Sequence, residues 1–229
     1  AIMKPKLVVL TGAGISAESG LRTFRDSDGL WEGHDVYEVA SPNGWNKNPS
    51  LVQEFYNLRR KDVLAAQPNA AHTGLAELEQ WYDVRIITQN IDDLHERGGS
   101  SRVLHLHGEI LKMRSVHDET KLYDIREDIA MGQVAPDGGQ FRPHVVWFGE
   151  DVSMIQPAVL EIVQADVFVL IGTSLNVYPA AGLVNYLRAD VPRYIIDKKI
   201  PPVSDSHHWT LIEKPATEGV AELLELLRP

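Results

Sequence analysis

The chain has 229 residues, of which 44% are hydrophobic, so it can bury one substantial core. Its formal net charge is −10 and no window is dense in Lys and Arg, so we expect no nucleic-acid partner, because duplex binding depends on phosphate neutralisation. The absence of Cys excludes disulfides, thiolate zinc sites and a cysteine nucleophile, and without a long apolar run or signal-peptide core we expect no membrane partner and a cytoplasmic location.

Short apolar runs rich in β-branched residues recur along the chain, and several are continuous, as is typical of strands buried on both faces of a parallel sheet. Helical patterns lie between them. We predict a helix over 49–66 with Asn48 at its N-cap, a second helix from Asn69 to about Trp81, and a last helix with Thr217 at its N-cap. The predicted strands are 7–10, 84–87, 103–106, 145–148, 167–171, 194–196 and 210–212.

This alternation predicts an α/β fold, a Rossmann-like parallel sheet with helices on both faces. Two stretches interrupt it: 26–66 is polar and rich in turn residues before its helix, and 108–144 is irregular. We therefore predict a smaller lobe formed by two insertions. The predicted domains are a Rossmann-like domain over 1–25, 67–107 and 145–229, and a small lobe over 26–66 and 108–144.

The first predicted strand runs into a loop in which Gly12, Gly14 and Ala17 match the G-x-G-x-x-A pattern of dinucleotide-binding turns. Alone, the pattern is equally typical of a tight strand–helix turn. No strand with an acidic end follows about twenty residues later, so the pattern does not indicate an ordinary dehydrogenase half-domain.

Polar residues also follow the ends of four later strands, at 88–92, 105–109, 172–174 and Asp197. In an open parallel sheet, ligands bind in the crevice outside the carboxyl ends of the strands. Five such ends together indicate one ligand site along this edge.

These motifs, in this order, resemble those of the sirtuin family. They extend from the first strand to Ala216, and the compact length resembles bacterial members. The motifs that carry the resemblance are at 12–16, 23–25, 89–92, 107–108, 148–150 and 172–174.

The resemblance implies an NAD-dependent protein-lysine deacylase that uses NAD as a co-substrate. The acyl-lysine carbonyl oxygen would displace nicotinamide, and His107 would take a proton from a ribose hydroxyl that attacks the acyl carbon. Products would be free lysine, nicotinamide and O-acyl-ADP-ribose. A base with a pKa near the working pH suits this step. Among nine His residues, only its place after a strand and before Gly108 and Glu109 distinguishes His107 from a structural histidine.

By the same resemblance, Asn90 is a second catalytic residue that orients the ribose with Gln89, and Asp92 would hold the carboxamide. Arg25 would lie in a loop over the cofactor, although a solvated loop charge is an alternative. The remaining predicted NAD contacts are Gly12, Ala13, Gly14, Ile15, Ser16, Thr23, Phe24, Trp31, Ile91, Gly172, Thr173, Ser174, Asp197 and Ala216.

Asp197 departs from the family, which usually has Asn where this strand ends. A carboxylate accepts hydrogen bonds from ribose hydroxyls and repels a 2′-phosphate, so we expect NAD rather than NADP. The alternative is a strand-end Asp that faces water beside Lys198 and Lys199.

Two segments resemble those that sandwich a substrate strand, which implies acylated lysine side chains of proteins as partners and binding by β-augmentation. Their residues are Val146, Phe148, Gly149, Glu150, Asn176, Val177 and Tyr178. The alternative for the first segment is a plain core strand. We expect a monomer.

Tyr56 and Arg59 lie on the apolar stripe of the 49–66 helix and resemble the Tyr-x-x-Arg of sirtuins that remove succinyl or malonyl groups. A half-buried Arg favours a carboxylate partner. The alternatives are that Arg59 pairs with a structural Glu or extends to solvent. We therefore expect succinyl and malonyl removal, with deacetylation as well.

Most sirtuins carry a four-cysteine structural zinc site in the segment that corresponds to 108–144, where this chain has no Cys. We expect no zinc there, and the spacing of His117, Asp118, Glu119 and Asp124 is not diagnostic of another metal site. An apolar cluster would replace the metal. Its expected members are Met113, Leu122, Tyr123, Ile125, Ile129 and Phe141.

Three other functions stay open. A metal-dependent hydrolase would use His95, His105, His107 and Asp92 as a zinc cluster, but leaves the Gly-rich loop unexplained. A non-catalytic NAD-binding module leaves Asn90, Asp92 and His107 without a purpose. An NAD glycohydrolase or ADP-ribosyltransferase on the same fold differs only in its products.

Overall fold

The computed structural model describes residues 3–22 and 30–229. In chain order, the first half contains β1 (Lys6–Thr11), α1 (Gly14–Ala17), β2 (Leu30–Trp31), β3 (His34–Asp35), α2 (Val36–Val39), α3 (Pro42–Lys47), α4 (Pro49–Ala65), α5 (Ala70–Glu77), β4 (Asp83–Thr88), α6 (Leu94–Arg97) and β5 (Val103–His105). The second half contains β6 (Gly108–Ser115), β7 (Asp118–Asp124), β8 (Phe141–Val145), α7 (Ile155–Val163), β9 (Val167–Ile171), β10 (Arg193–Asp197), β11 (Trp209–Glu213) and α8 (Ala216–Leu227). Three short 3-10 segments lie at Leu78–Gln80, Ala180–Tyr186 and Ser206–His208.

Six strands form one parallel sheet in the order β11-β10-β9-β1-β4-β5. The continuous apolar runs are explained by burial on both faces. On β1, Leu7 and Val9 pack with α5 and α8, whereas Val8 and Leu10 pack with α7 on the other face. The predicted Rossmann-like parallel sheet with helices on both faces is confirmed.

A smaller lobe is built from antiparallel strands and helices. β6 lies between β7 and β8, β2 pairs with β3, and the buried side of α4 packs against Ile110, Val145 and Trp147. The predicted strand at 145–148 is wrong, because the strand is Phe141–Val145 and pairs antiparallel with β6. After Val145 the chain turns, and Gly149 adopts a φ of 93°. The domain bounds proposed from the sequence stay a prediction.

Polar side chains of α4 connect the helices of this lobe to its strands. The buried Arg60 donates from Nε to the carbonyl oxygen of Ile110 at 2.9 Å, and Gln53 donates to that of Phe141 at 2.8 Å. The lobe also has an apolar cluster of its own, formed by Met113, Ile125, Ile129, Ala135 and Phe141, with Tyr123 packed against it. Leu122, predicted to join this cluster, is 39% exposed because β7 is an edge strand and its outer side faces solvent.

Asparagine side chains begin two of the helices as predicted. The Asn48 Oδ1 accepts from the Leu51 amide at 3.2 Å, and the Asn69 Oδ1 accepts from the Ala71 amide at 2.9 Å. Thr217, predicted as an N-cap, instead lies inside α8, and its hydroxyl donates to Glu18 at 2.6 Å. Within the described ranges, no helix has the length and apolarity needed to cross a bilayer.

Candidate active site

A cleft of about 710 Å³ runs along the carboxyl edge of the parallel sheet, between the sheet and the small lobe. Its size is that of a small-molecule site. The predicted site residues that line it are Gly12, Ala13, Gly14, Trp31, Tyr56, Arg59, Gln89, Asn90, Ile91, Asp92, His107, Val146, Phe148, Gly149, Glu150, Gly172, Thr173, Ser174, Asn176, Val177, Tyr178 and Asp197.

Among the described residues, three predicted cofactor residues are not part of this wall. Ile15 and Ala216 are buried in the core beneath the sheet edge, and Ser16 is buried one layer below the cleft surface. Thr23, Phe24 and Arg25 lie outside the described residues, so their predicted role stays a prediction.

The loop after β1 and the loop after β9 touch through their backbones. A Cβ atom on Gly14 would lie 2.6 Å from the Cα of Gly172, and one on Gly12 would lie 2.7 Å from the Gly172 carbonyl oxygen. Gly172 also has a φ of 66°, which favours glycine. These glycines therefore let two strand ends approach each other and expose backbone to the cleft at their own positions.

Asn90 and Asp92 are held by a buried polar network below the cleft. The Asn90 amide donates to the Gly12 carbonyl oxygen at 2.9 Å, and the Ser16 hydroxyl donates to Asp92 Oδ2 at 2.9 Å. The Leu94 amide donates to the other Asp92 oxygen at 3.0 Å. Burial raises the pKa of Asp92, and these donors partly offset the effect. Ser16 therefore positions Asp92 and does not itself line the cleft.

His107 follows β5 and lines the cleft. Its Nδ1 lies 3.2 Å from the carbonyl oxygen of Gln89. A carbonyl only accepts, so Nδ1 carries the proton and Nε2 keeps its lone pair. Burial lowers the pKa of His107, which the Gln89 contact only partly offsets, so the ring is neutral at neutral pH. A neutral, oriented imidazole is suited to act as a general base.

His105, two residues before His107, forms an ion pair that was not predicted from the sequence. Its Nδ1 lies 3.0 Å from the Asn90 carbonyl oxygen and its Nε2 lies 2.7 Å from Glu96, with Glu109 at 3.9 Å. Burial alone would lower the pKa of His105, but Glu96 and Glu109 raise it above its ordinary value. Its position after a strand was visible in the sequence, whereas its acidic partners required the tertiary structure.

The zinc cluster considered from the sequence does not assemble. The Nε2 of His95 contacts the Thr11 hydroxyl at 2.9 Å, whereas His105 and His107 contact different carbonyl oxygens. Within residues 3–22 and 30–229, the one group of three potential metal ligands is Glu96, His105 and Glu109. There the contact between His105 and Glu96 is a direct hydrogen bond, which indicates an ion pair.

Tyr56 and Arg59 face the cleft from α4. The buried Tyr56 hydroxyl accepts from the Trp147 indole at 3.1 Å, and burial raises the pKa of Tyr56. Arg59 is 15% exposed, its guanidinium carbon lies 5.0 Å from the Phe55 ring centroid, and its Nε donates to Asp62 at 3.1 Å. Asp62 also lines the cleft, and its spacing from Arg59 on the helix could have revealed it from the sequence.

The two predicted substrate segments both line the cleft. Glu150 accepts from Arg142 at 2.8 and 3.1 Å and from the Trp147 amide at 2.8 Å, so its carboxylate stabilises the turn after β8. In the second segment Tyr178 is 73% exposed. The backbone N–H of Val146 already donates a hydrogen bond to the His107 carbonyl oxygen at 2.9 Å.

Asp197 ends β10 and is half-buried in the cleft wall. Burial raises the pKa of its carboxyl group, and backbone amides of Lys199 and Lys198 partly offset this effect. Lys199 also lines the cleft, although sequence reasoning treated it only as a solvated neighbour. Other lining residues that sequence reasoning did not assign to the site are Leu21, Arg22, Ala40, Val63, Ile110, Val145, Trp147, Val152, Pro179, Ile200, Pro201 and Pro202.

The parallel sheet, its glycine contacts and the cleft at its carboxyl edge define a Rossmann-like nucleotide-binding protein. The model of the Sir2 family matches residues 12–179, and the chain belongs to this family. This result confirms the resemblance to sirtuins.

Similar proteins cover almost the whole chain. Two proteins named NAD-dependent protein deacylase, from Helicobacter pylori and Bacteroides thetaiotaomicron, are each 51% identical, covering 96% and 97% of this chain and 96% and 98% of their own. A solved Sir2 homologue in complex with NAD has a TM-score of 0.88 and 37% identity over 98% of this chain and 90% of its own. A Sir2 structure with deacetylated p53 peptide and 3′-O-acetyl ADP ribose has a TM-score of 0.79 and 29% identity, with 98% and 94% covered.

Proposed function

We propose that this Sir2-family chain is an NAD-dependent protein-lysine deacylase that removes succinyl, malonyl and acetyl groups. The observation that carries the proposal is the neutral, oriented His107 on the wall of the cleft, next to the loop with Gln89 and Asn90. The similar proteins named NAD-dependent protein deacylase support the reaction class.

The cleft residues fit NAD as a co-substrate. The ends of β1 and β9 meet at Gly12, Gly14 and Gly172, which carry no side chains. A pyrophosphate can therefore approach the backbone closely there. Asp197 offers an acceptor for ribose hydroxyls at the end of β10. When bound, NAD supplies a ribosyl carbon for the acyl oxygen and nicotinamide as the leaving group.

Residues of the chain then orient the ribose and remove a proton from one of its hydroxyl groups. His107 Nε2 takes the proton from a ribose hydroxyl, and the Gln89 carbonyl oxygen keeps the ring in the required tautomer. Asn90 orients the ribose, and Asp92, fixed by Ser16 and the Leu94 amide, receives the carboxamide. An acylated lysine strand enters between the segments that contain Phe148 and Val177.

The acyl preference rests on Arg59 and Tyr56. Arg59 places a guanidinium on the cleft wall beside Tyr56, and a carboxylate is the ligand that its donors match best. The Tyr56 hydroxyl already accepts from Trp147, and within the described residues no acceptor takes its own proton. It can therefore donate to an acyl carboxylate. The monomeric state and the cytoplasmic location stay predictions from the sequence.

The test is incubation with NAD and peptides of matched sequence that carry acetyl-lysine or succinyl-lysine, followed by mass spectrometry. Equal amounts of free lysine peptide, nicotinamide and O-acyl-ADP-ribose are expected, with at least a hundredfold loss of kcat in His107→Ala. Nicotinamide release without deacylation would instead identify a glycohydrolase or transferase. No change in either peptide or NAD would overturn the catalytic proposal in favour of a binding module.

Arg59→Met tests the acyl preference. Desuccinylation should fall at least tenfold more than deacetylation, because only the succinyl group has a carboxylate for the guanidinium. Lys61→Met, on the same helix but in an ion pair with Asp128 away from the cleft, is the matched control. Equal loss of both activities in Arg59→Met would remove Arg59 from acyl recognition.

A further inference from the structure

Arg59 already has an anionic partner inside the cleft. Its Nε donates to Asp62 Oδ2 at 3.1 Å, and both side chains line the cleft wall. Arg59 is 15% exposed and Asp62 56% exposed, so the cation lies deeper than the carboxylate. An acyl group that reached Arg59 would therefore share the guanidinium with a resident negative charge.

The contact leaves the terminal donors of Arg59 unused. Asp62 accepts only from Nε, and within residues 3–22 and 30–229 the two Nη groups donate no hydrogen bond. The Phe55 ring, 5.0 Å from the guanidinium carbon, packs against the cation. The Nη edge is therefore where an incoming carboxylate would bind, on the same guanidinium as Asp62.

We propose that Asp62 is a specificity-determining residue that lowers catalytic efficiency toward acyl groups ending in a carboxylate, relative to neutral acyl groups. This inference rests on the proposed role of Arg59. Two carboxylates bound to one guanidinium repel each other, and the resident one neutralises much of the attraction for the second. Because Asp62 is more than half exposed, solvent screens the repulsion and limits its effect to a factor of roughly five.

A purely structural role for Asp62 predicts a different outcome. An ion pair three residues apart on a helix adds little to stability and does not distinguish between two substrates. Asp62→Asn tests the charge alone, because the Asn oxygen can still accept from Arg59 Nε. Asp128→Asn is the matched control: Asp128 is 53% exposed and pairs with Lys61 at 3.3 Å, but lies outside the cleft wall.

The experiment measures kcat/KM for succinyl-lysine and acetyl-lysine peptides of one sequence. In Asp62→Asn, the succinyl-to-acetyl ratio should rise roughly fivefold, and the gain should shrink as salt is raised. Asp128→Asn should leave the ratio as in the wild type. A ratio that is unchanged or lower in Asp62→Asn, or one that rises equally in Asp128→Asn, would overturn the inference.

Arg59→Met, measured alongside, separates this inference from the proposed function. If Arg59→Met lowers the succinyl-to-acetyl ratio and Asp62→Asn does not raise it, only the role of Asp62 fails. If Arg59→Met leaves the ratio unchanged, recognition of the acyl carboxylate by Arg59 fails, and the proposed role of Asp62 fails with it.

Discussion

His105 Nδ1 lies 3.0 Å from the carbonyl oxygen of Asn90, and the same ring is paired with Glu96 through Nε2 at 2.7 Å. His107 makes the equivalent contact to Gln89, so two histidines of one chain segment hold two consecutive carbonyl groups of the neighbouring loop. The pKa values of the two rings are shifted in opposite directions. Acidic neighbours raise the pKa of His105, whereas burial lowers that of His107. His105 therefore keeps its proton to a higher pH than a free imidazole does, whereas His107 loses its proton at a lower pH.

The ion pair of His105 predicts a pH-dependent contribution to stability. Its pKa is raised in the folded chain, so the stabilisation is complete below the unfolded pKa of about 6.5 and is lost as the pH rises through the folded pKa. In His105→Gln, the free energy of unfolding should fall by about 1–2 kcal/mol at about pH 6, and the difference from wild type should shrink as the pH is raised into the alkaline range.

Urea unfolding followed across this pH range measures the difference. His117→Gln is the control, because His117 is exposed in the turn between β6 and β7 of the small lobe, outside the parallel sheet. A difference that is constant with pH, or that grows as the pH rises, would contradict the ion-pair assignment.

The backbone contact between Gly14 and Gly172 predicts that Gly172→Ala is damaging. A Cβ atom at Gly172 would lie 2.7 Å from the Gly14 Cα, and the φ of 66° adds strain. We expect a loss of roughly 2–4 kcal/mol in the free energy of unfolding and weaker NAD binding, because the two loops must separate.

Gly20→Ala is the matched control for Gly172→Ala. Gly20 also has a positive φ, 90°, but beyond its chain neighbours no atom of the described residues lies within 4 Å of the position that a Cβ atom would take there. Gly20→Ala therefore measures backbone strain without a clash. Thermal unfolding and calorimetric NAD titration measure both effects. Similar losses in the two variants would show that conformational strain, and not contact between the loops, is responsible.

The small lobe should depend on its apolar cluster. Ile129 is 1% exposed in this cluster, and its replacement by Ala should lower the free energy of unfolding by about 2–4 kcal/mol. Val134→Ala, at a site that is 54% exposed, should change it by less than about 0.5 kcal/mol.

Treatment of the wild-type protein with EDTA completes this test. A chain without Cys cannot form a four-cysteine zinc site, so the melting temperature should not change on chelation. A fall in melting temperature, reversed by added metal, would show that other residues stabilise this lobe through an ion.

Sequence patterns predicted the sheet and the edge that carries the site, because both depend on local signals. Continuous apolar runs indicate strands buried on both faces, and polar residues after such strands mark the carboxyl edge of a parallel sheet. The Asn48 and Asn69 caps were predictable for the same reason, since a cap involves residues only two or three positions apart.

Contacts between distant segments were decided by the tertiary structure alone. The strand near Val145 belongs to the small lobe because it pairs with β6, and no local pattern distinguishes that partner from a neighbour in the main sheet. Thr217 is not a cap, because its hydroxyl instead donates to Glu18, which is 199 residues earlier in the sequence. The same applies to His105: its sequence position is that of a site residue, but its charge depends on Glu96 and Glu109, which only packing brings to the ring. Residue types and local periodicity therefore determined the elements and the order of the motifs. Packing decided which side chains meet, and therefore their protonation, because electrostatic interactions depend on distances that the order of residues does not contain.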